Sequence, residues 1–160
     1  MQTLAAGSKR LRPPPKGFTL LELLVVVALI AVATAGVSLS LRDSADSALD
    51  RDAERLASLL ETGRAQARAN GIPVVWRANS QGASQGFVFE GLPPPGLPRD
   101  WLTPTTRIAP DTAVTLGPEP LIEPRAVALS SLSLPERQVW VVTDGLRPFK
   151  VQNTPEWVRP

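Results

Sequence analysis

The run from Phe18 to Leu41 constrains this chain more than anything else in it: 24 residues carry a single charge, Glu22. As an α-helix at about 1.5 Å per residue the run spans roughly 36 Å, enough to cross a bilayer. Its centre, Leu23 to Ala33, is apolar on every face, as contact with lipid or with a packed bundle requires. Arg42 and Asp43 close it. Lys9, Arg10, Arg12 and Lys16 precede it with no acid among them, and such a cluster stays on the cytoplasmic side. The sequence therefore predicts a basic leader over 1–17, a single membrane-spanning helix over 18–41, and a remainder that lies across the membrane from the leader.

Past the apolar run the helical pattern changes character and continues. Leu49, Ala53, Leu56, Leu60, Gly63 and Ala67 recur at spacings of four and three, one narrow apolar stripe. Asp50, Arg51, Glu54, Arg55, Ser58, Glu61, Arg64 and Arg68 fill the other faces. Asn70-Gly71 followed by Pro73 stops the helix, giving an amphipathic segment over 42–71. The stripe suits packing against the protein's own sheet better than a coiled-coil seam, for which it is short.

After Pro73 the apolar period falls to two. Val74–Arg77, Phe87–Glu90, Ala113–Leu116, Arg125–Leu129 and Gln138–Val142 read as strands of a β-rich domain over 72–160. Asp144-Gly145, between Val139–Thr143 and Leu146–Val151, predicts a hairpin with a two-residue turn. Pro148 cannot donate to a ladder, which places the last strand at an edge or on a bulge. Most of the 17 prolines lie beyond residue 90, in keeping with strands and loops. Leu92-Pro93-Pro94-Pro95-Gly96-Leu97-Pro98 reads as a stiff exposed loop, either a partner contact or a plain connection. The fold class is α+β: a long N-terminal helix, membrane-spanning in its first half, packed on a C-terminal antiparallel sheet or β-sandwich.

Composition narrows the function. The chain has no Cys and no His, so disulfides, a thiolate nucleophile and the commonest general base and metal ligand are absent. No catalytic residue, metal site or cofactor is assigned, and the expectation is a protein that is not an enzyme. Asp43, Asp46, Asp50 and Asp52 fall at helical spacing and read as a solvated face, not a cation site. Removing residues 1–17 takes away four of the 17 basic residues and none of the 15 acidic ones, leaving a net charge of −2. Basicity thus belongs to the leader, and nucleic-acid binding is not expected unless folding gathers Arg99, Arg107, Arg125 and Arg137 into one patch.

Lys16-Gly17-Phe18-Thr19-Leu20-Leu21-Glu22-Leu23, leading directly into the apolar run, resembles the N-terminal signal of type IV pilins and type II secretion pseudopilins. In that family a membrane-embedded aspartyl peptidase cuts after the Gly and methylates the new amino terminus. The resemblance implies cleavage between Gly17 and Phe18, N-methylation of Phe18, and pairing of Glu22 with the amino terminus of a neighbouring subunit. The physical motive for a partner is independent of the resemblance: an acid in hydrocarbon costs about 2.5 kcal/mol at the bilayer centre, less near an interface, unless it pairs or reaches the headgroups. A secretory signal cut after Ala35 in Ala33-Thr34-Ala35-Gly36 is the rival reading, and it leaves the Gly-Phe-Thr-Leu-Leu-Glu match unexplained.

Leu56 to Val74, with Arg64-Ala65-Gln66-Ala67 closing the helix and Gly71-Ile72-Pro73-Val74 opening the strand, and the late Thr143-Asp144-Gly145 turn together resemble the H-type minor pseudopilins and their pilus relatives (the GspH/FimT family). That resemblance implies two antiparallel sheets on the helix and a subunit in or at the tip of a periplasmic pseudopilus. It also implies a set of partners: the prepilin peptidase, major and minor pseudopilins, the inner-membrane assembly platform, and secreted proteins or the outer-membrane secretin. The expected location is the bacterial inner membrane, single-pass, with the N-terminus cytoplasmic and the C-terminal domain periplasmic. A minor type IV pilin for pilus assembly or DNA uptake is the alternative.

Overall fold

The computed structural model describes residues 18–79 and 85–156, with the backbone alone over 38–42. One helix, α1 (Leu20–Asn70), runs through 51 residues, and the chain divides into two compact units between Ser38 and Leu39.

In the first unit every described side chain from Phe18 to Val37 is exposed, and Leu20–Val37 is long and apolar enough to cross a membrane. Its interior hydroxyl is satisfied without water: Thr34 donates to the carbonyls of Ile30 at 2.9 Å and Ala31 at 3.0 Å. That habit suits a helix in hydrocarbon, where an unpaired donor is costly.

In the second unit the predicted stripe is the buried seam of α1. Leu49, Ala53, Leu56, Leu60 and Ala67 are each at most 1% exposed, and Gly63 is buried with them. The helix ends as the sequence predicts. Gly71 takes φ +62°, and Ile72 N–H donates to Ala67 O at 3.1 Å, the six-to-one bond of a Schellman motif.

Seven strands follow: β1 (Val75–Asn79), β2 (Gly86–Glu90), β3 (Thr106–Ile108), β4 (Ala113–Thr115), β5 (Arg125–Ser131), β6 (Leu134–Thr143) and β7 (Lys150–Gln152). They form two antiparallel sheets, ordered β2-β1-β4 and β3-β5-β6-β7. Trp76, Phe87 and Phe89 from the first sheet and Val127, Leu129, Val139 and Val141 from the second share one core with the α1 seam. Trp101 closes that core from the loop before β3, its ring centroid 4.7 Å from that of Phe87. The α+β architecture is as expected.

Three expectations need correction. Asp144-Gly145 is not a two-residue hairpin turn: Val142 pairs with Lys150, so seven residues lie between the last paired positions of β6 and β7. Asp144 Oδ1 instead accepts from Leu146 N at 2.9 Å and Arg147 N at 2.7 Å, and Gly145 sits at φ +87°, where a Cβ would strike Ile122 O. The tight turn of this sheet is Leu132-Ser133, joining β5 to β6, with the register shifting beside it so that Pro135 needs no ladder partner. The aspartates are not one solvated face, as shown below. Arg64, placed by periodicity on a polar face, is 2% exposed. Pro148 lies just outside β7, and β7 is an edge strand as expected.

Candidate functional site: the start of the helix

Thr19 caps α1. Its hydroxyl accepts from Glu22 N–H at 3.2 Å, and its carbonyl accepts from Leu23 N–H at 3.1 Å. Thr19-Leu20-Leu21-Glu22 therefore has the spacing of a capping box, a local signal for the helix start that the sequence reading passed over. Glu22 stands in the first turn, where the helix dipole favours a negative charge. None of the ion pairs among the described residues involves Glu22. Phe18 is exposed beside it at 81%. Gly17 and the basic residues Lys9, Arg10, Arg12 and Lys16 lie outside the described residues. On the same helix Leu20, Leu23, Leu24, Val27, Ala28 and Ala31 line an open apolar furrow at three- and four-residue spacing. The segment thus presents an uncommitted carboxylate at a capped helix start, above an apolar stripe suited to another helix.

The charges of the second unit serve its own architecture. Asp52, 1% exposed, accepts from Leu102 N at 2.7 Å, Thr103 N at 3.1 Å and Thr106 Oγ1 at 2.7 Å, tying the loop before β3 to α1. Asp46 and Asp50 hold Arg137 at 3.0 and 2.9 Å, fixing the base of β6 to the helix. Partial burial opposes the Arg137 charge, but the hydrogen bonds and charges of Asp50 and Asp46 outweigh it and raise its pKa. Only Asp43 of the four aspartates is exposed with no partner of this kind. Among the described residues no group of acids has the makings of a metal site.

Arg64 is the buried cation. Its guanidinium donates to Gly145 O at 2.5 Å, Pro120 O at 3.2 Å and Arg147 O at 3.3 Å, with Glu61 at 3.6 Å. Burial is the main cause that lowers its pKa, with Arg68 adding to it. The result is one cation bolting two loops, before β5 and after β6, onto α1. Asp144, in the second of these loops, is held below the usual carboxylate range by the Arg147 and Leu146 amides it accepts from.

Of the four arginines that folding could have gathered, three are engaged within the body. Arg137 is taken by Asp46 and Asp50, and Arg125 pairs with Glu123 at 2.5 Å. Arg107 donates to the carbonyls of Pro104 at 2.7 Å and Thr106 at 2.8 Å. Arg107 lies opposite Ser130, at the far end of β5 from Arg125, about 17 Å along the strand at roughly 3.3 Å per residue. Of the proline-rich loop, Leu92 and Leu97 turn inward against the core, leaving Pro93, Pro94 and Pro95 exposed.

Residues 13–38 match the family described as "Prokaryotic N-terminal methylation motif". The match brackets Gly17, Phe18 and Glu22 together with the exposed apolar helix. Searches of curated proteins and of solved structures return no match to the chain. The chain thus carries the N-terminal signature of type IV pilin-like proteins on an α+β body.

Proposed function

We propose that this protein is a non-catalytic assembly subunit, a minor pseudopilin of the H type in a type II secretion system. The observation that carries the reading is the N-terminal methylation motif seated on a fully exposed apolar helix whose capped first turn holds an unpaired acid. In this reading the prepilin peptidase cuts between Gly17 and Phe18 and methylates the Phe18 amine. Glu22 then pairs with the amino terminus of the next subunit, offsetting the cost of each charge in hydrocarbon and setting axial register. The furrow from Leu20 to Ala31 packs against neighbouring helices in the filament core. Residues 18–41 span the inner membrane before assembly, and the body from residue 42 onward stands in the periplasm.

A minor pilin that takes up DNA shares the same start, so the body decides between them. The engagement of Arg107, Arg125 and Arg137 by the body's own carbonyls and carboxylates supports a body that binds protein neighbours and not a phosphate backbone. The test titrates the body, begun near Arg42, with duplex DNA at low salt and with the soluble domains of other minor pseudopilins. The expected outcome is pseudopilin binding without DNA binding. Submicromolar, salt-sensitive DNA binding without pseudopilin binding overturns the secretion reading in favour of DNA uptake.

A further inference from the structure

An antiparallel sheet with one face in the core and one in water alternates apolar and polar residues. The central strands here do not. Ala126-Val127-Ala128-Leu129 in β5 and Val139-Trp140-Val141-Val142 in β6 are unbroken apolar runs. Val127, Leu129, Val139 and Val141 point into the core. Their alternates line the opposite face, and the register sets them in rows: Ala126 beside Val142 beside Lys150, and Ala128 beside Trp140 beside Gln152. Ala126, Ala128 and Trp140 are only partly covered, whereas Val142 on the same face is buried beside the loop that follows β6. An apolar strip with a tryptophan at its centre and alanines beside it has the form of an interface anchor and its pocket floor.

Chemistry at the rim says what the strip receives. Next to Val142 a cleft of about 140 Å³ is lined by Thr143, Asp144, Arg147, Lys150 and Gln152. The one acid there is committed: Asp144 Oδ1 accepts two backbone amides, and its other oxygen stands 3.7 Å from Arg147 Nε. Lys150 is exposed and takes part in none of the ion pairs among the described residues. The Gln152 amide donates back to the Thr154 and Glu156 carbonyls, holding the segment after β7 in place. Arg147 is thus answered within the cleft by Asp144, and Lys150 is left as the unpaired cation facing it, directly beside the apolar strip.

We propose that this outer face of β5-β6-β7 is the docking surface for the body of another subunit bearing the same N-terminal motif. That subunit presents an apolar side chain to Trp140 with a carboxylate beside it that enters the Arg147–Lys150 cleft. The identity of the partner rests on the assembly reading, whereas the apolar-plus-acid chemistry rests on the sheet alone. Trp140 is the anchor, and Lys150 selects for charge.

The test uses the full chain in its own membranes, co-produced with each of the host's other motif-bearing subunits. A photo-reactive residue replaces Ala128, or Leu102 as a control on a different exposed loop. The expected result is a crosslink from position 128 to a single such subunit, close to an Asp or Glu in it, and none from position 102. Lys150→Glu and Trp140→Thr should each lower the yield about tenfold or more. Changing the partner's crosslinked acid to Lys should restore the yield with Lys150→Glu, an outcome that misfolding cannot produce. Crosslinks only to a second copy of this chain, or yields indifferent to Lys150→Glu, overturn the proposal. Where the chain is processed and enters the filament fraction yet gives no product from position 128, the docking face is wrong and the assembly reading stands. Where the chain is not processed at all, both fall.

Discussion

Glu22 has two physical reasons to stand where it does. As the third residue after the Thr19 cap it suits the capping box and the helix dipole, which any helix start would reward. As an acid at the head of an exposed apolar helix it calls for a cation that the described chain does not provide. Glu22→Gln separates the two, because glutamine serves the box and carries no charge. If pairing is the role, Glu22→Gln and Glu22→Ala both leave cleavage and membrane insertion intact. Both then reduce co-purification with other pilin-like subunits about tenfold or more, equivalent to roughly 1.4 kcal/mol. Near-normal co-purification of Glu22→Gln with a deficit only in Glu22→Ala would assign the residue to capping alone.

Among the elements, α1 was the most legible. Its apolar run, its seam from Leu49 to Ala67 and its Asn70-Gly71 stop all follow from three- and four-residue spacing and from one glycine at φ +62°. The strands were legible in number and order except for β3, whose three residues are too few to show a period and are positioned by Asp52 from 54 residues away. The hairpin was misread because Asp-Gly also suits a longer loop, and here the chain spends it on an Asx turn locked to Ile122 and Arg64. Arg64 itself could not be read as buried, since its partners are carbonyls far along the chain that leave no mark on side-chain patterning. Of the site, Gly17, Phe18 and Glu22 were legible as a motif, whereas Trp140 was hidden in a strand that looked like ordinary core. The Arg64 bolt carries its own prediction. Arg64→Leu strands three carbonyls and should lower urea stability of the 39–160 fragment by roughly 3 kcal/mol. Arg64→Lys should recover little of it, because a single ammonium cannot span the same fork of acceptors. A loss under about 0.5 kcal/mol for Arg64→Leu would show that the loops hold without it.

Taken whole, the molecule joins an exposed apolar helix to a body that pairs most of its arginines within itself. Glu22 is the one charge in the apolar run, and without residues 1–17 the chain is slightly acidic. Among the described residues, Asp52, Asp144 and Arg64 are spent on the body's own loops, and Asp46 and Asp50 on Arg137. That division fits a protein whose two working surfaces meet other subunits, one in the membrane and one at the sheet, and whose chemistry is association. The N-terminal event comes first in any such sequence and is the most direct thing to measure. Intact-mass and N-terminal peptide analysis of the chain extracted from membranes of cells holding the prepilin peptidase should find a species that begins at Phe18 and carries one added methyl group. A soluble species that begins at Gly36, or a membrane species that still begins at Met1, would contradict the account.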